Sequence, residues 1–413
     1  MADSVDVAVV GGGAAGLAAA IFAARHGLSG RVVVLDGSRR LGAKILISGG
    51  GRCNITNTKV GERDFWGGNR NIVKQVLRAF PVPDTLAFFR EIGLELHEEE
   101  DGKLFPNTNR AQTVLSALLD EAERRGVKLV SGTRVREITR QEEGFHIATS
   151  AGGSLSARRV VLATGGMSVP ETGSDGSGYA LARALGHQIV PTTPALVPLL
   201  LEGEMHATLR GVAQRVEVDV QSEREGRTRF AGSMLWTHFG ASGPVILNAS
   251  RLWHRAGLEG RAVRVTLNLV GGQSFELVEQ QLLDRAAEQG LVAVRSVLAE
   301  MMPASAADAL MASASVDPAV RLKELTREAR RRLIHAIVHR PLGIRGSRGF
   351  RFAEVTAGGV ELSEIQPATL ESRRCPGLFL VGEILDVDGR IGGYNFQWAW
   401  SSGYVAGLGL NKS

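Results

Sequence analysis

Three glycines near the start of the sequence have the spacing of a dinucleotide-binding turn. In VDVAVVGGGAAGLAAAIFAARHG, Gly11, Gly13 and Gly16 complete the pattern G-x-G-x-x-G between an apolar run and a small-residue stretch. The first glycine allows a tight turn, the second admits a pyrophosphate, and the third lets a helix pack closely on a strand. Asp36 ends the next apolar run, RVVVLD, where a carboxylate can bind ribose hydroxyls. The pattern predicts FAD or NAD rather than NADP.

A second polar stretch, KILISGGGRCNITN (residues 44–57), follows the expected ribose-binding position. Its three glycines permit close approach of the backbone to a ligand. Lys44 or Arg52 could offset pyrophosphate charge, and Asn54 and Asn57 supply amide groups that suit flavin carbonyls and ring N–H groups. A structural turn with a surface arginine is the alternative. We expect the stretch to be a loop that lies along a flavin nucleotide.

The sequence near the C-terminus returns to the same kind of pattern. RRVVLATGG (158–166) is an apolar strand with a glycine turn, and LFLVGE is followed by a helix that opens at Gly392 and Gly393. The N–H groups of that helix could stabilise negative charge on a reduced flavin ring. A return of this kind favours FAD over NAD. A second G-x-G-x-x-G is absent, so NAD(P)H is expected to bind only transiently as electron donor.

Glu383 is expected at the ribityl chain of FAD, with Asp386 and Asp388 as alternatives. The predicted cofactor contacts are Gly11, Gly13, Ala14, Ala15, Gly16, Asp36, Lys44, Gly50, Arg52, Cys53, Asn54, Val135, Ala163, Thr164, Gly165, Gly166, Gly382, Glu383, Gly392, Gly393, Tyr394 and Asn395.

Two residues could donate the proton that the reduction of a carbon–carbon double bond requires. A thiol such as that of Cys53 has an ordinary pKa of about 8.5 and is protonated at neutral pH. A small buried cysteine packed beside the ring is the alternative. His238, in LWTHFGASGP, has an ordinary pKa of about 6.5, and a structural histidine is the alternative.

Composition limits the other classes of function. The 413 residues predict two or three domains. The two cysteines are too few for a disulfide scaffold, and no His/Cys cluster has zinc spacing, so no metal is predicted. No apolar run has the length of a membrane span, and the start MADSVD does not resemble a signal peptide. We therefore expect a cytoplasmic protein with no membrane contact.

Positive charge is concentrated in residues 321–351. This segment carries ten Lys or Arg against Glu324 and Glu328, a net charge of +8, while the whole chain has +5. Such an excess can attract a polyanion such as RNA. A solvated, arginine-rich helix face is the alternative, because the sequence shows no aromatic-interleaved stacking motif and no known RNA-binding fold.

Over nearly its whole length the sequence resembles a bacterial family of aminoacetone-oxidase-like, NAD(P)/FAD-dependent flavoproteins. The resemblance is carried by GGGAAGLAAA, KILISGGGRCNITN, FPNTNRAQTVLSAL, ATGGMSVPETGSDGSGYALARALGH, LWTHFGASGPVIL, AEVTAGGVELSEI and GEILDVDGRIGGYNFQWAWSSGYVAG. Activities ascribed to that family are reduction of a double bond in dehydro bile acids, synthesis of dihydrouridine in 23S ribosomal RNA, and oxidation of aminoacetone.

The resemblance implies an α/β protein with a Rossmann-type, glutathione-reductase-like FAD-binding domain, an inserted β-rich subdomain and a small helical subdomain. We expect the FAD domain at 1–192 and 352–413, the inserted β-barrel-like domain at 193–273 and 341–351, and the helical part at 274–340. Alternating patterns in RVEVDV, RFAGSMLW and AVRVTLNLV independently predict antiparallel strands in the insert.

Three functional hypotheses follow from these patterns. The first is FAD-dependent reduction of uridine in 23S ribosomal RNA with NAD(P)H as donor. The second is a small-molecule ene-reductase or an amine oxidase that uses O₂, and the third is a non-catalytic redox sensor. The RNA-binding residues predicted under the first hypothesis are Arg327, Arg330, Arg331, Arg332, Arg345 and Arg348.

Overall fold

The computed structural model describes residues 3–28, 30–150, 152–223 and 226–412. The chain forms two compact units, one built from residues 1–194 and 354–413 and the other from residues 195–353. The α/β class, the Rossmann-type domain and the additional antiparallel sheets predicted from the sequence are confirmed.

The first part of the chain alternates strands and helices. Its strands are β1 (Asp3–Val10), β2 (Val32–Leu35), β3 (Thr56–Asn57), β4 (Phe65–Gly67), β5 (Leu96–Glu99), β6 (Lys103–Pro106), β7 (Lys128–Val130), β8 (Val135–Gln141), β9 (Gly144–Thr149), β10 (Ser154–Leu162) and β11 (Ile189–Ala195). Its helices are α1 (Ala14–Arg25), α2 (Ala43–Gly51), α3 (Arg70–Ala79), α4 (Val82–Glu91), α5 (Ala111–Arg124) and α6 (Ser177–Ala184).

The remaining elements complete both units. The second unit contains β12 (Leu199–Leu201), β13 (Ala213–Ser222), β14 (Gly226–Thr237), β15 (Gly240–Ser242), β16 (Val263–Asn268), β17 (Arg340–Pro341) and β18 (Ile344–Ser347). Its helices are α7 (Met205–Thr208), α8 (Pro244–Leu258), α9 (Phe275–Gln289), α10 (Val294–Met301), α11 (Ala304–Ser313) and α12 (Arg327–Val338). The chain then returns to the first unit with β19 (Val355–Val360), β20 (Leu378–Leu380), β21 (Val387–Gly389) and α13 (Tyr394–Gly409).

The main sheet of the first unit has β1 near its centre. Strands β7, β2, β1 and β10 run parallel in that order, and β20 adds a further parallel strand beside β10. The apolar run VAVV of β1 is buried on both faces, as expected for a parallel strand covered by helices. Parallel strands end at one edge of the sheet, and ligands of open α/β sheets bind outside that edge. The turns after β1, β2, β10 and β20 therefore meet there.

Helices α1 and α13 pack closely because both carry small residues at the contact. A methyl group on Gly403 of α13 would lie 2.6 Å from the Cβ of Ala18 and 2.9 Å from the backbone oxygen of Ala15. One on Gly407 would lie 2.8 Å from the backbone nitrogen of Ala23. The AAGLAAA and SSGYVAG segments thus bring together the first and the last helix of the unit.

The seven-stranded antiparallel sheet of the second unit is rolled. Its order is β17-β16-β13-β14-β15-β12-β18, so β17 and β18 lie at opposite edges. Only residues 342–343 join these two strands, and two residues span at most about 10 Å between the flanking positions. The two edges must therefore lie close together, as in a barrel. The strands predicted from RVEVDV, RFAGSMLW and AVRVTLNLV are antiparallel, as expected.

Helices α9 to α12 follow the sheet in the second unit. Serine and threonine caps begin two of them: Ser274 accepts a hydrogen bond from the N–H of Leu277, and Thr326 accepts one from the N–H of Ala329. Helix α12 buries Leu333, one of four apolar residues on its inner face, and exposes Arg327, Arg331 and Arg332. Within the described residues we find no helix long and apolar enough to cross a bilayer.

Candidate FAD-binding site

The turn between β1 and α1 has the shape that a pyrophosphate requires. Gly11 has φ +109°, and a side chain on it would collide with the backbone oxygen of Ala163. A side chain on Gly16 would collide with the backbone of Gly11, so the third glycine is required for packing. A methyl group on Gly13 would meet no atom within 4 Å, and no side chain caps α1. The first N–H groups of α1, including that of Ala14, are thus open to an anion.

Asp36 is held rigidly at the end of β2. Its Oδ2 accepts a hydrogen bond of 2.7 Å from the N–H of Gly12, and its Oδ1 accepts one of 2.7 Å from the N–H of Ser38. Each carboxylate oxygen has further lone pairs that could accept from ribose hydroxyls. The acid predicted from the sequence therefore sits beside the glycine turn, as the motif requires.

Lys44 and Glu383 form the polar centre of this edge of the sheet. The Nζ of Lys44 lies 2.7 Å from Oε2 of Glu383 and also donates to Oγ of Ser168. Ser168 donates to Oε1 of Glu383 at 2.8 Å, and the N–H of Thr356 donates to the same oxygen at 2.8 Å. Sequence reasoning missed Ser168 and Thr356, although both stand in quoted family motifs. The structure thus joins Lys44 to the residue predicted for the ribityl chain.

Tyr179 of α6 lies near this centre. Its hydroxyl is buried and has no hydrogen-bond partner, and burial together with the charges of Glu383 and Asp386 raises its pKa. A second buried hydroxyl without a partner belongs to Thr164, in the glycine turn after β10. Next to it, Gly165 has φ +71°. Buried polar atoms without partners are rare in folded proteins, so these atoms mark the surface that a polar ligand would complete.

The stretch KILISGGGRCNITN is not the continuous loop that we expected. Residues 44–47 are helical, as part of α2, and the chain leaves the helix at Ser48. Gly49, Gly50 and Gly51 then take positive φ values of 56°, 69° and 83°. Three successive left-handed residues require glycine, and this explains the triplet. The apolar KILI run favours a helical turn before the break.

The guanidinium of Arg52 is already engaged by other residues of the protein. Its guanidinium pairs with Glu99 at 2.6 Å and lies 4.1 Å above the ring of Phe105. Lys44, the other cation proposed to offset pyrophosphate charge, is also paired, with Glu383 at 2.7 Å.

Cys53 and Asn54 have different environments. The Cys53 side chain is fully buried, and burial raises the pKa of its thiol to about 12, although Ser48 hydrogen-bonds to it. This burial favours the packing role over proton donation. By contrast, Oδ1 of Asn54 is buried with no hydrogen-bond partner and could accept from a flavin N–H.

The start of α13 combines open N–H groups with a fixed turn. Gly392 and Gly393 have φ +115° and +95°, and no side chain caps the helix. Asn395 is already engaged, because its Oδ1 accepts from the N–H of Gly389 and its Nδ2 donates to the carbonyl of the same residue. Tyr394 is buried, and burial raises the pKa of its hydroxyl. Their side chains hold the turn, while the helix N-terminus remains available to a ligand.

The remaining predicted contacts also lie in the first unit. Val135 is buried at the start of β8. A side chain on Gly382 would lie 2.6 Å from the Cβ of Ala15, so the turn after β20 touches the start of α1. A side chain on Gly166 would lie 2.9 Å from Oε1 of Glu383. The structure therefore brings Gly166, Gly382 and Glu383 to the edge of the sheet at which α1 begins.

His238 lies in the second unit, where the structure joins it to a predicted RNA-binding residue. The exposed His238 ring packs edge-on against Phe239, with 5.0 Å between the ring centroids. The Arg348 guanidinium lies 4.8 Å from the centroid of the Phe239 ring and 3.3 Å from that of Phe352. His238, the predicted proton donor, and Arg348, a predicted RNA-binding residue, thus lie in one cluster of cationic and aromatic side chains around Phe239.

The other predicted RNA-binding arginines divide into two groups. Arg330 pairs with Glu279 at 3.3 Å, and Arg332 donates to the carbonyl of Ala314 at 3.2 Å. Arg327, Arg331 and Arg345 are exposed and have no ion-pair partner in the described chain. Only part of the positive segment is therefore free to bind an anion.

The residues present fit FAD. The glycine turn and open start of α1 suit a pyrophosphate, Asp36 suits a ribose, and the unpartnered Asn54 oxygen and open start of α13 suit a flavin ring. The model of the HI0933-like protein Rossmann domain matches residues 5–409. The chain belongs to the HI0933-like family. This is a family of FAD-binding Rossmann proteins and flavin oxidoreductases, so the FAD and oxidoreductase predictions are confirmed at that level.

Two relatives match over nearly the whole chain. The 3-dehydro-bile acid delta(4,6)-reductase of Clostridium scindens is 35% identical over 97% of this chain and 98% of its own. The ribosomal RNA dihydrouridine synthase of Escherichia coli is 33% identical over 98% of both chains. Among solved structures, the 3-ketosteroid delta1-dehydrogenase of Sterolibacterium denitrificans has a TM-score of 0.50 at 14% identity, covering 99% of this chain and 100% of its own. That likeness concerns the fold alone.

Proposed function

We propose that this HI0933-like protein reduces a carbon–carbon double bond with FAD, that NAD(P)H is the electron donor, and that the substrate is uridine in 23S ribosomal RNA. Both full-length relatives carry names that describe saturation of a double bond in a ring. The observation that favours RNA over a small molecule is the free cationic surface of the second unit. Arg327 and Arg345 are exposed there without a carboxylate partner in the described chain. Such cations bind phosphates.

The protein's own residues have distinct tasks in this reaction. The glycine turn and α1 bind the pyrophosphate, and Asp36 orients the ribose. The N-terminus of α13 would offer its positive dipole end to the flavin ring and would stabilise negative charge on it. When bound and reduced by NAD(P)H, the flavin would supply the hydride that one carbon of the double bond receives. The other carbon needs a proton, and an RNA base must leave its stack to reach any buried ring.

The two candidate proton donors, Cys53 and His238, differ in their burial. A fully buried thiol with a pKa of about 12 gives up its proton reluctantly, so Cys53 is a poor general acid. His238 is exposed and stays the candidate donor. When kcat is measured across a range of pH, a His238→Gln variant should have a lower kcat than the wild type. Its FAD content should be unchanged.

A small-molecule alkene is the second candidate substrate. It is favoured by the 35% identity to the bile-acid reductase, which slightly exceeds that to the RNA enzyme. Under this hypothesis the cationic surface would have no role in turnover.

Mass spectrometry of ribosomal RNA from cells with and without the gene tests the proposal. We expect loss of one dihydrouridine, restored by the intact gene but not by an Asp36→Ala variant. Purified FAD-loaded protein should then oxidise NADH or NADPH in the presence of unmodified 23S RNA. An unchanged dihydrouridine content, together with turnover of a 3-oxo-Δ4 steroid, would overturn the RNA substrate and support the small-molecule one.

A further inference from the structure

Helix α12 carries a stripe of cationic and aromatic side chains on its exposed face. Arg327, Arg331 and His335 follow one another at intervals of four residues, and His339 continues the row at the C-cap. Residues four apart lie on one face of a helix. All four are exposed, while the opposite face of α12 is buried. We call these four residues the α12 stripe.

Phe275, the first residue of α9, adds an aromatic ring to the middle of the α12 stripe. Its ring lies 4.8 Å from the ring of His335, and the Arg331 guanidinium lies 5.7 Å from its centroid. The rings of His335 and His339 are 6.0 Å apart. A row of three rings flanked by arginine is thus built from two helices that are far apart in sequence.

Most of the charge in the α12 stripe is not neutralised by the protein. Within the described residues neither Arg327 nor Arg331 has a carboxylate partner. The neighbouring Arg330, by contrast, turns away from the stripe to Glu279. One acid, Glu276, interacts electrostatically with His339 at the far end of the row. A ligand of the stripe should therefore be anionic at the arginine end and planar at the aromatic end.

We propose that the α12 stripe and Phe275 form a docking surface for unpaired RNA. This inference rests on the proposed RNA substrate and identifies the surface that binds the RNA. Phosphates contact Arg327 and Arg331, and one or two bases stack on the rings of His335 and His339. Base–aromatic stacking with a cationic track is the combination by which proteins hold single strands without reading their sequence. The surface anchors the strand in the second unit and leaves base selection to the reaction site.

Direct binding to a labelled 12-nucleotide oligouridine RNA tests this surface, using FAD-loaded protein and fluorescence anisotropy. Arg327→Gln/Arg331→Gln removes two phosphate contacts. For single strands each phosphate contact contributes about −0.7 to the slope of log K against log salt. Without two of these contacts, the fold-loss of affinity between 50 and 200 mM KCl should be about sevenfold smaller in the variant than in the wild type. His335→Ala should weaken binding about 5- to 150-fold, the range for loss of one stacked base.

The matched control is Arg78→Gln/Arg90→Gln. Both residues are exposed arginines in the last turns of α3 and α4 in the first unit, so the control removes the same charge from a different helix surface. We expect the control to bind RNA as the wild type does. Flavin absorbance and thermal unfolding establish that all variants are folded and loaded.

The outcomes separate this inference from the proposed function. If ribosomal dihydrouridine depends on the gene but the stripe variants bind RNA and restore it like the wild type, the docking surface is wrong and the RNA substrate stands. Equal losses in the Arg78/Arg90 control would also overturn the docking surface, as would equally tight binding to a polyglutamate of the same charge. If the wild type binds no RNA, both proposals fail.

Discussion

A methyl group introduced at Gly403 should weaken both the fold and FAD binding. In Gly403→Ala the new Cβ would lie 2.6 Å from the Cβ of Ala18, whereas carbon atoms in good contact are about 3.5–4.0 Å apart. Helices α1 and α13 would have to separate by about 1 Å, and overpacking of this kind costs about 1–3 kcal/mol. Alanine regains about 1 kcal/mol of helix propensity relative to glycine. The net loss should be about 0–2 kcal/mol in the free energy of unfolding.

The exchange Gly403→Ala/Ala18→Gly is the internal control. It moves the methyl group from one helix to the other, so the propensity effects cancel and the contact between the two Cβ atoms disappears, while the contact of the new Cβ with the backbone oxygen of Ala15 at 2.9 Å remains. We expect a favourable coupling of about 1 kcal/mol or more in a double-mutant cycle. Urea unfolding of the FAD-free proteins gives the free energies, and flavin fluorescence titration gives the Kd. Because α1 and α13 both begin at the candidate FAD site, the single variant should bind FAD more weakly and the exchange should restore part of the binding.

Two results would refute this reasoning. If Gly403→Ala is more stable than the wild type by about 1 kcal/mol, the position behaves like an exposed helical glycine and the helices are not in close contact. If the two substitutions act additively, the methyl groups do not meet.

Three further predictions concern single residues. Asp36→Ala removes two carboxylate–backbone hydrogen bonds and the ribose acceptor, so the Kd for FAD in fluorescence titrations should rise at least about tenfold; an unchanged Kd would show that the carboxylate does not face the ribose. The buried thiol of Cys53 should resist iodoacetamide at pH 8 until the protein is denatured. Because its folded pKa is raised to about 12, the free energy of unfolding should fall as the pH rises from 9 towards 12. In urea titrations, Cys53→Ala should reduce this fall. At Glu121 burial opposes ionisation, but hydrogen bonds from Arg125 and Arg25 outweigh burial and lower the pKa of the carboxyl group. The stabilisation by Glu121 should therefore be complete above pH 4.5 and be lost as the pH falls through the lowered folded pKa. Glu121→Gln should lower the free energy of unfolding at pH 7 and make it depend less on pH in the acid range.

The sequence predicted best those parts of the site that are built locally. The glycine turn, α1 and Asp36 lie within one strand–helix–strand unit, so spacing alone determines their geometry. The antiparallel strands of the insert were predictable for the same reason, since alternation along each strand reports a half-buried surface. The start of α13 was readable from its paired glycines.

Contacts between distant segments were not predictable. Lys44 and Glu383 are 339 positions apart, and no pattern in either segment shows that they meet. The helix at the start of KILISGGG was missed because its apolar run is only three residues long and the glycines after it suggested a loop. Likewise, the aromatic row beside Arg331 escaped notice because Phe275 comes from another helix and reaches the row only in the folded unit.

The pairing of β10 with β20 and the contact of α1 with α13 have a consequence for biogenesis. The glycine turn emerges early from the ribosome, but β20 and α13 are made only after the whole second unit. Contacts of such high sequence separation form late and slowly. In the nascent chain the candidate FAD site therefore stays incomplete until β20 and α13 have been synthesised. FAD binds late in synthesis for this reason. A ribosome arrested before residue 378 should hold a chain that cannot retain FAD, whatever the progress of its N-terminal strands.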